Sequence, residues 1–107
     1  MLSLKQQQQN RLKNLLYRRI DSDFEDDSPV AILNSVRKEE ENGADIQYLY
    51  GEKFERVYKM VIEMKRTIEN SDSPYEDPVV NTMLEKYGYY ISPTGRHIYG
   101  AGPQFND

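Results

Sequence analysis

This chain of 107 residues contains no cysteine and only one histidine, two residue types on which many catalytic and metal sites depend. The absence of cysteine excludes disulfides, thiolate nucleophiles and zinc sites built from cysteine. A metal site around His97 would need carboxylates for its remaining ligands, and no G-x-S-x-G or comparable context supports a catalytic triad. The sequence therefore predicts a protein that is not an enzyme and that holds no metal or cofactor.

Long apolar runs are also absent. Leu2 and Leu4 are followed at once by Lys5 and four glutamines, so there is no apolar core of a signal peptide. No run approaches the ~18 apolar residues of a membrane span. We therefore expect no membrane association, and a cytoplasmic location, or the virion if the gene belongs to a bacteriophage. Because 37% of the residues are hydrophobic and 30% are charged, we also expect a small core.

The charge of −4 is unevenly distributed along the chain. Residues 1 to 20 contain five basic residues and no acid: Lys5, Arg11, Lys13, Arg18 and Arg19. Arg11 and Arg18 are seven residues apart and share a helix face, which allows three interpretations. The face is simply solvated, or it binds an acidic protein or this chain's own acidic loop, or it contacts nucleic acid. A sequence pI of about 5.0 argues against nucleic acid.

A block of acids follows this basic segment: Asp21, Asp23, Glu25, Asp26 and Asp27. Its alternating start resembles a calcium-binding EF-hand loop, but Asp26 stands where glycine is needed and Ile32 where a bidentate glutamate belongs. The block is therefore interpreted as a solvated linker or as an acidic patch that faces a partner through Asp23, Asp26 and Asp27.

Apolar spacing and capping residues predict four helices. The first begins at a capping box of Ser3 and Gln6 and runs to about residue 21, with Gln6 to Gln9 solvated. The second begins at Ser28-Pro29 and ends at Asn42-Gly43. The third covers residues 46 to 69, with a break possible near Gly51. A short fourth helix begins at Asp77-Pro78 and ends at Gly88, with Val79, Val80, Met83, Leu84 and Tyr87 on one side.

The third helix carries a seam of apolar residues at heptad-like intervals: Tyr50, Phe54, Val57, Val61, Met64 and Ile68. Such a seam forms either the core of a domain or a stripe for self-association, so a homo-oligomer is one alternative. Since only about three heptads are present, which is the lower limit for a coiled coil, we favour the core.

The C-terminal residues are rich in tyrosine and turn residues. Residues 89 to 99 predict a hairpin with a type I turn over residues 92 to 95, and residues 100 to 107 predict an extended tail. Aromatic residues are enriched at protein interfaces, so we take five residues of this region as candidate partner contacts. They are Tyr89, Tyr90, His97, Tyr99 and Phe105. For the three tyrosines, covering the domain's own core is an equally good interpretation.

Together these patterns predict an all-α fold, a small bundle of three main helices and a short fourth, with a C-terminal β-hairpin and an extended tail. The domain covers residues 1 to 99 and the interaction tail residues 100 to 107. The leading functional hypothesis is a structural subunit or adaptor of a larger protein assembly, for example a bacteriophage virion or connector component. The second is a small acidic phage or mobile-element inhibitor that blocks a host or defence nucleic-acid enzyme. Its acids at residues 21 to 27 and 39 to 41 would mimic nucleic-acid phosphates, with Asp23, Asp26 and Asp27 as candidate contacts. The third is nucleic-acid binding through Arg11 and Arg18.

Overall fold

The computed structural model describes residues 2–24 and 29–103, which form a helical domain with a small C-terminal hairpin. The predicted fold class is confirmed. The helices are α1 (Leu4–Asp23), α2 (Leu33–Glu41), α3 (Ile46–Tyr50), α4 (Glu52–Glu69) and α5 (Pro78–Lys86). The strands are β1 (Tyr90–Ile91) and β2 (Ile98–Tyr99).

Helix α1 begins at the predicted capping box, in which Ser3 and Gln6 each bond to the other's backbone N–H at 3.1 Å. Its apolar stripe packs against α4, and Leu12, Leu16 and Ile20 are fully buried. The prediction of a solvated glutamine run is wrong for Gln9, which is buried. Its amide donates hydrogen bonds to the carbonyl oxygens of Ser71, at 2.8 Å, and Glu69, at 3.2 Å. Gln9 thereby satisfies two carbonyls where α4 ends.

The predicted seam is the core of the domain. Five of its members are buried in α4: Phe54, Val57, Val61, Met64 and Ile68. Helices α1 and α5 pack against α4, and α2 packs against α3. Three ion pairs one turn apart also form along α4, between Glu52 and Arg56, Glu55 and Lys59, and Lys65 and Glu69.

The predicted third helix is divided at Gly51, the position where the sequence indicated a possible break, so residues 46 to 69 form two helices rather than one. Gly51 has φ 99° and ψ 161°, a backbone conformation that only glycine adopts readily. Its N–H still bonds the carbonyl of Gln47 at 2.8 Å, and its carbonyl accepts from Glu55 N–H at 3.1 Å. The chain therefore changes direction at Gly51 while hydrogen bonding continues on both sides.

The second helix begins later than predicted, at Leu33 rather than at Pro29. Residues 29 to 32 form turns, and the predicted capping residue, Ser28, lies outside the described residues. The C-terminal end at Asn42 and Gly43 is as predicted.

Helix α5 begins at Asp77, whose carboxylate accepts from Val79 N–H at 2.9 Å, as the Asp77-Pro78 start predicts. Val80, Met83 and Leu84 are buried. The prediction that Val79 shares their face is wrong, because its side chain is 66% exposed.

Three glycines join the end of α5 to the residues after β2. Gly102 donates its N–H to the carbonyl of Gly88 at 3.2 Å. A Cβ atom on Gly100 would lie 2.0 Å from the Gly88 carbonyl oxygen, and one on Gly88 would lie 2.7 Å from that of Gly102. Residues 100 to 102, which the sequence assigned to the interaction tail, thus lie against the domain; residues 104 to 107 are outside the described residues.

Candidate functional site: the hairpin and its anchor

The hairpin places its side chains on two faces. Its strands are antiparallel, with Tyr90 opposite Tyr99 and Ile91 opposite Ile98. Residues opposite each other in an antiparallel pair lie on the same face. Ile98 is buried and Ile91 half-buried, whereas Tyr90 is 44% and Tyr99 51% exposed. The isoleucine pair therefore packs on the helices and the tyrosine pair faces solvent.

The turn matches the prediction. Gly95 donates its N–H to the carbonyl of Ser92 at 2.9 Å, the four-residue closure expected from Ser92-Pro93-Thr94-Gly95. The N–H of Ser92 also bonds the carbonyl of His97, at 2.9 Å. An isolated hairpin is marginal in water. Here β1 contacts α5 and β2 contacts α1, which supply the support that a short hairpin needs.

A polar cluster of Arg19, Asp23 and Tyr89 anchors the hairpin to α1. Arg19 Nε lies 3.1 Å from a carboxylate oxygen of Asp23, and its terminal nitrogens donate to the backbone carbonyls of Ile98 and Gly100. The Tyr89 hydroxyl donates to the same carboxylate at 2.9 Å. Burial, and then the hydrogen bond to Asp23, raise the pKa of Tyr89 far above its usual range. Tyr89 is therefore a neutral donor at physiological pH.

Tyr89 belongs to the core, since its side chain is fully buried. Of its two predicted roles, the structure places it in the covering of the core and leaves no surface for a partner. Its neighbour Tyr90, the first residue of β1, is 44% exposed and faces solvent. The rings of Tyr90 and Tyr99 stack with their centroids 5.8 Å apart. His97, two residues before Tyr99, is also exposed.

The basic residues of α1 are mostly engaged within the chain. Lys5 pairs with Asp72 at 3.0 Å and Lys13 with Glu69 at 2.8 Å, while Arg19 belongs to the hairpin anchor. The Arg11 guanidinium lies 5.9 Å from the ring centroid of Tyr75. Arg18 is exposed and makes no ion pair with the described residues. The structure therefore does not assemble the five basic residues into one free face.

The acidic block is likewise partly engaged. Burial raises the pKa of the Asp21 carboxyl. Asp23 bonds Arg19 and Tyr89. Asp26, Asp27 and Phe105, three further candidate contacts from the sequence, lie outside the described residues.

Two shallow clefts flank the outer side of α4. One, of about 510 Å³, lies between α2 and α4. It is lined by Glu40, Tyr58, Lys59, Ile62, Glu63, Arg66 and Thr67. The other, of about 410 Å³, lies between α4 and α5 and shares Glu63 and Thr67. Because the first lining mixes both signs of charge around Ile62, it selects no class of small ligand.

A third cleft, of about 340 Å³, lies between α1 and the hairpin turn and is lined in part by Arg11, Tyr75 and Glu76. The Tyr75 hydroxyl is buried and has no hydrogen-bond partner among the described residues. Burial raises its pKa, so it stays a neutral donor. Arg11 and Glu76 offer opposite charges, and the cleft gives no preference for an anion or a cation.

Sequence reasoning missed a second exposed apolar surface, on α3. Tyr48 is 87% exposed and Leu49 52% exposed, and Tyr50 is the most exposed member of the predicted seam. The signal was present in the sequence: Gly51 marked a possible break. Once the helix divides there, residues before it no longer follow the seam of α4.

In residues 2–24 and 29–103, no helix is both long and apolar enough to cross a membrane. No group of three or more acidic or histidine side chains in that part of the chain could hold a metal ion. Comparison with protein-family models, with curated proteins and with solved structures finds no match to this chain.

Proposed function

We propose that the protein is a non-enzymatic interaction protein, a small subunit or adaptor of a larger assembly, which binds its partner with the Tyr90–Tyr99 face of the hairpin. The observation that carries the proposal is the exposure of two stacked tyrosine rings on a two-stranded sheet. Tyrosine supplies a large apolar ring with a polar tip, which is why it is enriched at interfaces.

The anchor beneath the hairpin supports this role. Tyr89, the residue before Tyr90, is buried and donates its hydroxyl to Asp23. Arg19 donates to the backbone carbonyls of the residues on both sides of Tyr99. These contacts fix the backbone that carries the two exposed rings before any partner arrives. A face held in its binding geometry loses less conformational entropy on association.

The two alternative functions have less support from the contacts. Inhibition by an acidic patch requires Asp23 to face a partner, and its carboxylate is bonded to Arg19 and Tyr89. Nucleic-acid binding requires free cations, and Lys5, Lys13 and Arg19 are paired with acids of the same chain. Of the basic residues in α1, Arg11 and Arg18 are exposed and make no ion pair with the described residues.

The test is capture of partners from an extract of the source cells by the full chain and by two variants. In Y90S/Y99S both exposed rings are removed, and in the control Leu4→Ser an exposed apolar side chain at the start of α1, outside the hairpin, is removed. We expect proteins captured by the wild type and by Leu4→Ser to be lost from Y90S/Y99S, with circular dichroism unchanged. Undiminished capture by Y90S/Y99S would contradict the assignment of the binding face.

A further inference from the structure

The α3 segment presents the other large apolar surface of the described residues. Of its five residues only Ile46 is buried, whereas Tyr48, Leu49 and Tyr50 are 87%, 52% and 37% exposed. The hairpin packs on α1 and α5, while α3 packs on α2 and α4. The residues Tyr48, Leu49 and Tyr50, named the α3 face, are therefore carried by different elements from the tyrosine pair of the hairpin.

The α3 face is held in place by specific contacts. Asp45 accepts from the N–H groups of Gln47, at 3.0 Å, and Tyr48, at 3.3 Å. The Tyr50 ring stacks on the buried Phe54 ring with centroids 4.7 Å apart, and its hydroxyl donates to Glu39 at 2.6 Å. Together with the turn at Gly51, these contacts orient Tyr48 and Leu49 outward on a fixed backbone.

The segment that carries the α3 face is rich in acids. Residues 37 to 53 contain five acids against three bases, Arg37, Lys38 and Lys53. Glu52 is paired with Arg56. Glu41 and Asp45 make no ion pair with any described residue, and Glu39 bonds the Tyr50 hydroxyl itself. Acids therefore outnumber bases in the segment that carries the apolar centre.

We propose that the α3 face binds a basic amphipathic segment of a partner protein, in which apolar side chains cover Tyr48 and Leu49 and lysine or arginine side chains meet Glu39, Glu41 and Asp45. Complementary charge favours this occupant and disfavours others. Nucleic acid would be repelled by the same carboxylates. A second copy of the chain, placed face to face, would bring acid against acid. The proposal is independent of the hairpin face, so either can fail alone.

The experiment uses the full chain labelled with ¹⁵N and two synthetic amphipathic helical peptides, one of leucine and lysine and one of leucine and glutamate. We expect the leucine–lysine peptide to give saturable chemical-shift changes at residues 39 to 52. We expect the leucine–glutamate peptide to give none, and added salt to weaken the binding because charge contributes to it.

Two variants of the chain test the components of the α3 face separately. In Y48S/L49S the apolar centre is lost, and we expect the affinity for the leucine–lysine peptide to fall by about tenfold or more. Glu41→Lys changes one rim charge, and we expect a severalfold loss. Y90S/Y99S is the matched control and should bind the peptide as the wild type does.

Four results would overturn the proposal. They are equal binding of the leucine–glutamate peptide, shift changes centred on the hairpin, no saturable change with either peptide, and a dimer in sedimentation that Y48S/L49S dissolves. The last result would identify a second copy of the chain as the occupant. Unchanged circular dichroism of Y48S/L49S, whose side chains are exposed, separates lost binding from lost folding.

Discussion

Tyr89 donates its hydroxyl to Asp23 across 66 residues of chain, and this 2.9 Å hydrogen bond joins the start of the hairpin to the last residue of α1. The Tyr89 side chain is fully buried, and the Asp23 carboxylate also accepts a hydrogen bond from Arg19. The position of the exposed tyrosine pair therefore depends on a partly buried contact with another element.

Replacing Tyr89 with phenylalanine should destabilise the protein while preserving its shape. The ring stays in the core, but Asp23 loses a neutral donor, which costs roughly 1 to 3 kcal/mol for a bond to a charged group. Urea unfolding of Y89F against wild type measures the change. Tyr99→Phe, at an exposed hydroxyl, is the control and should leave the midpoint unchanged; equal effects in both variants would contradict the assignment.

Alkaline pH should weaken the fold through the same residue. Because the pKa of Tyr89 is raised in the folded state above its ordinary value of 10.0, the unfolded chain releases this proton first. Its contribution is therefore complete below about pH 10 and declines as pH rises further. Unfolding free energies from about pH 9 to about pH 11 should fall less steeply for Y89F than for wild type. If the free energy of unfolding fell equally steeply with pH in both proteins, Tyr89 would not contribute to the loss of stability in alkali.

Acid should weaken the contact between α1 and the end of α4. The hydrogen bond from Lys13, and then that from Lys65, lower the pKa of the Glu69 carboxyl below its ordinary value of 4.5. A depressed folded pKa gives stability that is present above about pH 4.5 and is lost as pH falls through the folded value.

Glu69→Gln tests this contribution. We expect a loss near neutral pH of about 0.2 to 1 kcal/mol, the range for partly exposed ion pairs, and a smaller difference from wild type in acid. Thermal unfolding at a series of pH values measures both. Glu85→Gln, at an exposed side chain without an ion pair among the described residues, is the control; the same pH profile in both variants would count against the Glu69 contact.

Gln9→Ala should destabilise the protein more than the same substitution at an exposed glutamine of the same run. It removes the amide that bonds the Glu69 and Ser71 carbonyls in a buried position. Each unsatisfied buried acceptor costs about 1 to 3 kcal/mol. Chemical denaturation of Gln9→Ala and of the exposed control Gln7→Ala compares the two positions, and a loss no larger at Gln9 would refute its capping role.

Much of the fold follows from local sequence rules. Ser3 and Gln6 fix the start of α1, Asp77 and Pro78 that of α5, and the spacing of residues 54 to 68 identifies the buried side of α4. These signals lie within a few residues of their effect. Gln9 shows the limit, since its partners are 60 and 62 residues away and nothing in a run of glutamines distinguishes the buried one.

The candidate site was predicted only in part. Tyr90 begins β1 and lies opposite Tyr99 on the solvent side, whereas Tyr89, the residue before the strand, is buried. Tyr89 bonds Asp23 of α1, a contact with a distant element that sequence spacing does not reveal. The α3 face depends similarly on the backbone angle at Gly51 rather than on the apolar period.

The contact among Gly88, Gly100 and Gly102 has a consequence for mutational data. Their φ angles are 77°, 118° and 72°, and each added Cβ would lie within 3.0 Å of another residue's atoms. In a random library selected only for folded protein, these three codons should remain glycine while exposed Tyr90 and Tyr99 vary. Invariance in such data would therefore mark the joint between helix and hairpin, and tolerance would mark the surface available for binding.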